Sequence, residues 1–281
     1  MTTLNKYLFL FVLSVSLLVP SVGNAQIVDV NSVRVTDVRP ASFSVVWGTT
    51  EPAEGSVNVF ADPDGNTPVK DAVVIFESKD YPPAKNLGVM KVRVENLKAN
   101  TSYYFQIATT LINDGGSPFL YPQTPPFIGV TTEQESVVVR NDVLAQQISI
   151  GGGRSTQGTL LIAEIDHAAY PVTGWAGDGV PDGWAAIDTN NFYDKNTHKN
   201  LELAGGEPIT FTYFGGSMGS VTTNDTVPAE SNGMQPVKVA ANLPGDGSGG
   251  GSSSSSSSGS GGGGGGSACF IATASGDFFG F

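Results

Sequence analysis

Period-two alternation is the feature that most restricts the fold of this chain. Phe43, Val45 and Trp47 alternate with Ser42, Ser44 and Val46; Met90, Val92 and Val94 alternate with Lys91, Arg93 and Glu95; Tyr103, Phe105 and Ile107 alternate with Ser102, Tyr104 and Gln106. Successive side chains of a strand point to opposite faces, so each run is a strand with one buried face. Glu51-Pro-Ala-Glu-Gly55, Asp62-Pro-Asp-Gly-Asn66, Tyr81-Pro-Pro83 and Asn113-Asp-Gly-Gly116 separate the runs as turns, and no stretch keeps a helical period. Short strands at this spacing, with an aromatic in each core strand, predict an antiparallel β-sandwich over residues 26–132. Asp62 and Asp64 read as a solvated hairpin loop.

Two stretches carry a more specific likeness. Leu97-Lys-Ala-Asn-Thr-Ser-Tyr103-Tyr-Phe resembles the strand E to F corner of fibronectin type III domains, and Ser42-Phe-Ser-Val-Val-Trp47 resembles their strand B, with Ala99 where the family usually has Pro. The resemblance implies that Tyr103 is the corner tyrosine, its hydroxyl tied to nearby backbone, and that Trp47 is the core tryptophan. Both roles are structural. The segment from Thr36 through Phe60 is also similar to the leading domain of purple acid phosphatases. That family needs a further domain rich in Asp, Asn and His ligands for two metals, whereas this chain holds only His167 and His198 and no Gly-Asn-His-Glu run.

Residues 136–243 read as a second, immunoglobulin-like sandwich. Its strand candidates are Val137 to Val139, Thr159 to Ile165, Tyr170 to Trp175, Trp184 to Ile187 and Ile209 to Phe214. Reversals fall at Gly151-Gly-Gly153, Gly177-Asp-Gly179, Asn190-Asn191 and Gly205-Gly206, and Val143 to Ile148 reads as a short helical turn. The expected fold class is all-β, two tandem immunoglobulin-like sandwiches.

Several strings invite a chemical reading. Gly215-Gly-Ser217-Met-Gly219 matches the nucleophile-elbow pattern and follows a strand, as a hydrolase serine does. The residues after it, Ser220-Val-Thr-Thr-Asn-Asp-Thr-Val-Pro228, cannot form the helix such an elbow requires, and no His follows Ser217. Gly177-Asp178-Gly-Val-Pro-Asp182-Gly-Trp184 is similar to the acidic calcium loops of thrombospondin type 3 repeats. With Asp178 at loop position 5 and Asp182 at position 9, the places of three further carboxylates hold Gly174, Ala176 and Ala185. Asp178 and Asp182 are therefore the candidate calcium ligands, and a plain Pro-Gly turn is the competing reading. His167, beside Asp166, and His198, in Asn-Thr-His-Lys-Asn, have no third ligand nearby in sequence. Gly151-Gly-Gly-Arg-Ser-Thr156 lacks the Lys and spacing of a phosphate loop.

The two ends speak to destination. Lys6 precedes the apolar run Tyr7 to Val19, 13 residues long, followed by Pro20 and by Gly23-Asn-Ala25. A bilayer-spanning helix needs about 20 residues, so 1–25 reads as a signal peptide cleaved after Ala25. Residues 245–267 are almost purely Gly and Ser, which bury nothing and read as a disordered tether. Residues 268–281 contain Cys269, the single cysteine, in Cys-Phe-Ile-Ala-Thr-Ala274; a glycine run followed by this string resembles the CFI-box C-terminal region of exported bacterial proteins. The resemblance implies that Cys269 is a point of processing or lipid attachment and that the tail attaches the protein to a surface. Only 12 residues follow Cys269, without Lys or Arg.

Composition narrows the function classes. A formal charge of −12, from 14 Lys+Arg against 26 Asp+Glu, opposes nucleic acid and anionic membrane faces as partners. One Cys and two His exclude a disulfide scaffold, a Cys-based zinc site and a His-rich metal centre. The expectation is a non-enzymatic secreted or cell-surface protein that uses its sandwiches for adhesion, matrix or partner binding, with an extracellular protein or glycan as partner. No transmembrane helix is expected in the mature chain, and no cofactor beyond the candidate calcium. The alternative is a carbohydrate- or calcium-binding accessory module of an extracellular enzyme system; a third is a hydrolase using Ser217.

Overall fold

The structure, a computed structural model, describes residues 27–112, 116–137, 143–150 and 154–228, and the backbone of 237–243. The leader with Ala25, most of the turn at 113–116, the Gly151-Gly-Gly153 reversal, the 245–267 tether and Cys269 lie outside the described residues.

The first sandwich contains β1 (Val28–Arg39), β2 (Ser42–Thr49), β3 (Ala53–Phe60), β4 (Val73–Phe76), β5 (Val89–Glu95), β6 (Ser102–Leu111), β7 (Phe119–Tyr121) and β8 (Ile128–Thr131). One sheet runs β1-β2-β5-β4 and the other β3-β6-β7. β7 pairs Ile107 to Thr109 and β8 pairs Ser102 to Phe105, so the two form one interrupted edge strand along β6. Counting them as one gives a four-plus-three division of strands, that of a constant-type immunoglobulin sandwich. The inner parity of each run fills one core: Phe43, Val45, Trp47, Met90, Val92, Val94, Tyr103, Phe105 and Ile107. Trp47 Nε1 donates to Thr109 Oγ1 at 3.0 Å. The backbone N–H of Lys98 donates to the Tyr103 hydroxyl at 2.9 Å, the bond expected of the corner tyrosine. Tyr81-Pro-Pro83, expected as a plain turn, opens the helix α1 (Pro82–Leu87), where proline is tolerated because first-turn N–H groups have no intrahelical acceptor. Gly88, with φ 74°, closes it.

The second sandwich contains β9 (Val143–Ile150), β10 (Leu160–Glu164), β11 (Val172–Trp175), β12 (Trp184–Asp188), β13 (Pro208–Phe214), β14 (Ser220–Thr226) and β15 (Val237–Leu243). Its sheets run β11-β10-β13-β14 and β12-β9-β15. The segment from Val143 to Ile148 is thus a strand, not the expected helical turn. It pairs antiparallel with β12 and parallel with β15, and ladders on both sides outweigh weak local preference. Val137, expected to open the first strand, is exposed and lies outside any strand. β14 was not expected at all; its polar residues are held by a seven-residue register with β13. The core between these sheets includes Ile148, Leu161, Ala163, Ile187, Phe192, Phe211 and Tyr213.

The two sandwiches are joined face to face within one compact unit. Val46, on the outer parity of β2, clusters with Ala84, Val89, Leu160, Ile162 and Trp175 in a third apolar core. Leu160 and Ile162 are the outer parity of β10, whose inner parity, Leu161 and Ala163, belongs to the second sandwich. β2 and β10 are therefore buried on both faces, and four sheets lie in succession. Among the described residues, no helix is long and apolar enough to cross a membrane.

Candidate functional site

The seam between the sandwiches concentrates buried charge. In β1 the register with β2 shifts between Thr36 and Arg39, which frees Asp37 from the ladder at φ 51°. Asp tolerates this left-handed conformation better than most residues. Asp37 thereby faces the second sandwich: its N–H donates to Pro171 O at 2.9 Å, its Oδ1 accepts from the Thr173 N–H at 2.8 Å, and its Oδ2 accepts from the Thr173 hydroxyl.

Lys91 reaches the same carboxylate from the outer parity of β5. Its Nζ lies 3.2 Å from Asp37 Oδ2 and 2.9 Å from Glu77 Oε2. Glu77 comes from the short 3-10 turn Glu77–Lys79, whose buried Ser78 accepts from the Lys91 N–H at 2.8 Å. Only 9% of the Lys91 side chain and 8% of the Asp37 side chain is exposed, so these charges have left water. Burial is the largest influence on each and acts toward the neutral forms. For Asp37, the Lys91 ammonium and the Thr173 donors outweigh it, and the carboxyl is held below its usual range. For Lys91, the Asp37 and Glu77 carboxylates outweigh it, and the amine is held above its usual range.

The rim of the seam is polar and aromatic. Arg34 Nη1 meets Glu164 Oε1 at 2.6 Å. Tyr81 stacks on Trp175 with ring centroids 4.8 Å apart. Burial, and then the neighbouring Asp178 carboxylate, push the Tyr81 hydroxyl well above the ordinary phenol range.

A second junction lies where the chain passes from one sandwich to the other. Glu133 is fully buried, with Oε2 3.0 Å from His198 Nδ1 and Oε1 without a hydrogen-bond partner among the described residues. Gln134 N–H donates to His198 O at 3.0 Å, and Asn200 N–H to Ser136 Oγ at 2.9 Å. Burial raises the Glu133 carboxyl above its usual range, and His198 offsets part of that rise.

The candidate calcium ligands point to different partners. Asp182 Oδ1 accepts from the Thr156 N–H at 3.0 Å, the Thr156 hydroxyl at 2.7 Å and the Gly183 N–H at 3.0 Å, tying the turn to the segment that precedes β10. Asp178 instead faces Tyr81. Among the described residues, no three His, Cys, Asp or Glu side chains form a metal-holding group.

Ser217 is exposed in the 3-10 turn Gly216–Met218, which leads into β14 rather than a helix. His167 lies 3.5 Å from Glu207, just before β13, whereas Ser217 lies past its end. A seven-residue strand spans about 23 Å, so Ser217 and His167 sit at opposite ends of β13. His198 is engaged with Glu133. Asp37, Glu77, Lys91 and Thr173 escaped the sequence reading because each sits in a polar position indistinguishable from a wetted face.

No protein-family model and no curated protein matches the chain. Among solved structures, the crystal structure of chicken CNTN1 FN1-FN3 domains is similar at 11% sequence identity and a TM-score of 0.22, covering 70% of this chain and 65% of that one, just under two thirds of its length. The immunoglobulin-like sandwich architecture rests on this chain's own strand order and registers.

Proposed function

We propose that the protein is a non-enzymatic exported protein whose stacked sandwiches form a rigid head, carried on the Gly/Ser tether, that binds an extracellular protein or glycan in adhesion or matrix assembly. The observation that carries this reading is the seam: Asp37, held by Lys91 on its own sandwich, bonds Thr173 of the other, and the two sandwiches lie face to face. A partner then meets one pre-organised surface and loses less conformational entropy on binding than it would with two loosely linked modules. The leader supports export, and the Gly/Ser composition of residues 245–267 supports a tether. In this reading Ala25 is the leader cleavage site and Cys269 the tail's point of surface attachment.

Fractionation of cells producing the full chain tests it. The expected product begins at Gln26 and is recovered from the envelope or medium; an uncleaved chain confined to the cytoplasm overturns the reading. Covalent labelling by a serine-reactive fluorophosphonate that disappears in Ser217→Ala would replace it with a hydrolase. Saturable calcium heat lost in Asp178→Asn would replace it with a calcium-binding accessory module.

A further inference from the structure

We propose that Lys91 and Asp37 condense into an intramolecular amide cross-link between β5 and β1, with Glu77 carrying the proton. The reading is independent of where the protein is located.

The cluster contains every component such a reaction needs. The nucleophile, Lys91 Nζ, lies 3.2 Å from Oδ2 of the carboxyl it would attack, in direct ion-pair contact with it. Glu77 Oε2 is 2.9 Å from the same nitrogen and shares no strand with either partner, so it takes and returns a proton without joining the product. The Thr173 N–H holds Asp37 Oδ1 at 2.8 Å, where oxyanion character develops once the carbonyl carbon becomes tetrahedral. The Thr173 hydroxyl rests on Oδ2, the oxygen that departs. Both reacting side chains are more than nine-tenths buried, which keeps out the water that would hydrolyse the product.

The atoms balance. One proton passes from the Lys91 ammonium to Asp37 Oδ2, giving a neutral amine and a carboxylic acid. Nζ attacks Cγ and the N–C bond forms. Glu77 accepts a second proton from nitrogen and delivers it to Oδ2. The C–O bond breaks, one water leaves, and Glu77 returns to its starting state. No oxidant, reductant or cofactor is consumed. The product spans β2 covalently, because β2 lies between β1 and β5 in the sheet, and it fixes Asp37 against the second sandwich.

Intact mass spectrometry of the purified full chain, with its N-terminus determined independently, reads the reaction directly. The expected mass is one water below that of the sequence. Trypsin should fail to cleave after Lys91, and tandem spectra should show a branched peptide joining the Asp37 and Lys91 segments. Glu77→Gln should restore the full mass and cleavage after Lys91. A wild-type mass equal to that of the sequence, with normal cleavage at Lys91, overturns the proposal even if no variant folds. A water loss confined to the Asp37 peptide, which is a succinimide, overturns it as well.

Discussion

Thr173 places both its backbone N–H and its hydroxyl on the carboxylate of Asp37, 136 residues earlier in the chain. One side chain thereby registers β11 of the second sandwich against β1 of the first. Thr173→Val keeps the backbone donor and the shape but removes the hydroxyl. Hydrogen bonds to charged groups contribute about 1.5–3 kcal/mol, and denaturant unfolding in a Glu77→Gln background, where Asp37 keeps its carboxylate, should show a loss of that size. A loss near zero would mean the hydroxyl bond is not made.

Ile162 separates a four-layer stack from two independent sandwiches. On an isolated module its outer-parity side chain would face water, and truncation would cost little. In the stack it is buried with Val46 and Trp175, so Ile162→Ala should cost about 2–5 kcal/mol, measured by the same unfolding experiment.

Gly158 and Gly206 share a backbone conformation and differ in surroundings. Their φ values are 86° and 88°, but a Cβ at Gly158 would lie 2.3 Å from Ala84 N, across the seam, while one at Gly206 meets nothing within 4 Å. Gly206→Ala should cost only its left-handed strain, about 1–2 kcal/mol. Gly158→Ala should cost visibly more and should speed proteolysis at the seam.

Glu133 and Asp182 should impose opposite pH dependences. Glu133 is raised above its ordinary 4.5 by burial, so its contribution to stability is complete below 4.5 and is lost as pH rises through the folded value. Glu133→Gln should therefore compare best with wild type near neutrality. Asp182 is lowered from 3.8 chiefly by its Thr156 hydrogen bond, so its contribution is present above 3.8 and is lost as pH falls through the folded value. Asp182→Asn should be less stable than wild type near neutrality, with the gap closing in acid. Calorimetric melting temperatures across pH check both signs.

Much of the inner architecture was legible because it is written in parity. Phe43, Val45 and Trp47, or Tyr103, Phe105 and Ile107, declare which face of a strand is buried before any partner is known, and the tyrosine corner could be read from a nine-residue string. β9 was misread because Ala145 and Gln146 are both buried and the alternation breaks. Gln146 Oε1 accepts there from the Tyr213 hydroxyl at 3.3 Å, a partner 67 residues away. β14 was missed because Ser220-Val-Thr-Thr-Asn-Asp-Thr226 buries little; its place comes from backbone pairing with β13.

The amino-acid order by itself determined that this chain forms strands, which face of each core strand turns inward, and that one side chain, Tyr103, pins a corner. Tertiary structure alone decided that the other faces of β2, β5 and β10 meet. Alternation reports that a strand has two unlike faces and carries no information about what covers the second one. Ser44, Val46 and Lys91 look the same in sequence whether water or another sheet lies above them, and only long-range packing made Lys91 a buried partner of Asp37.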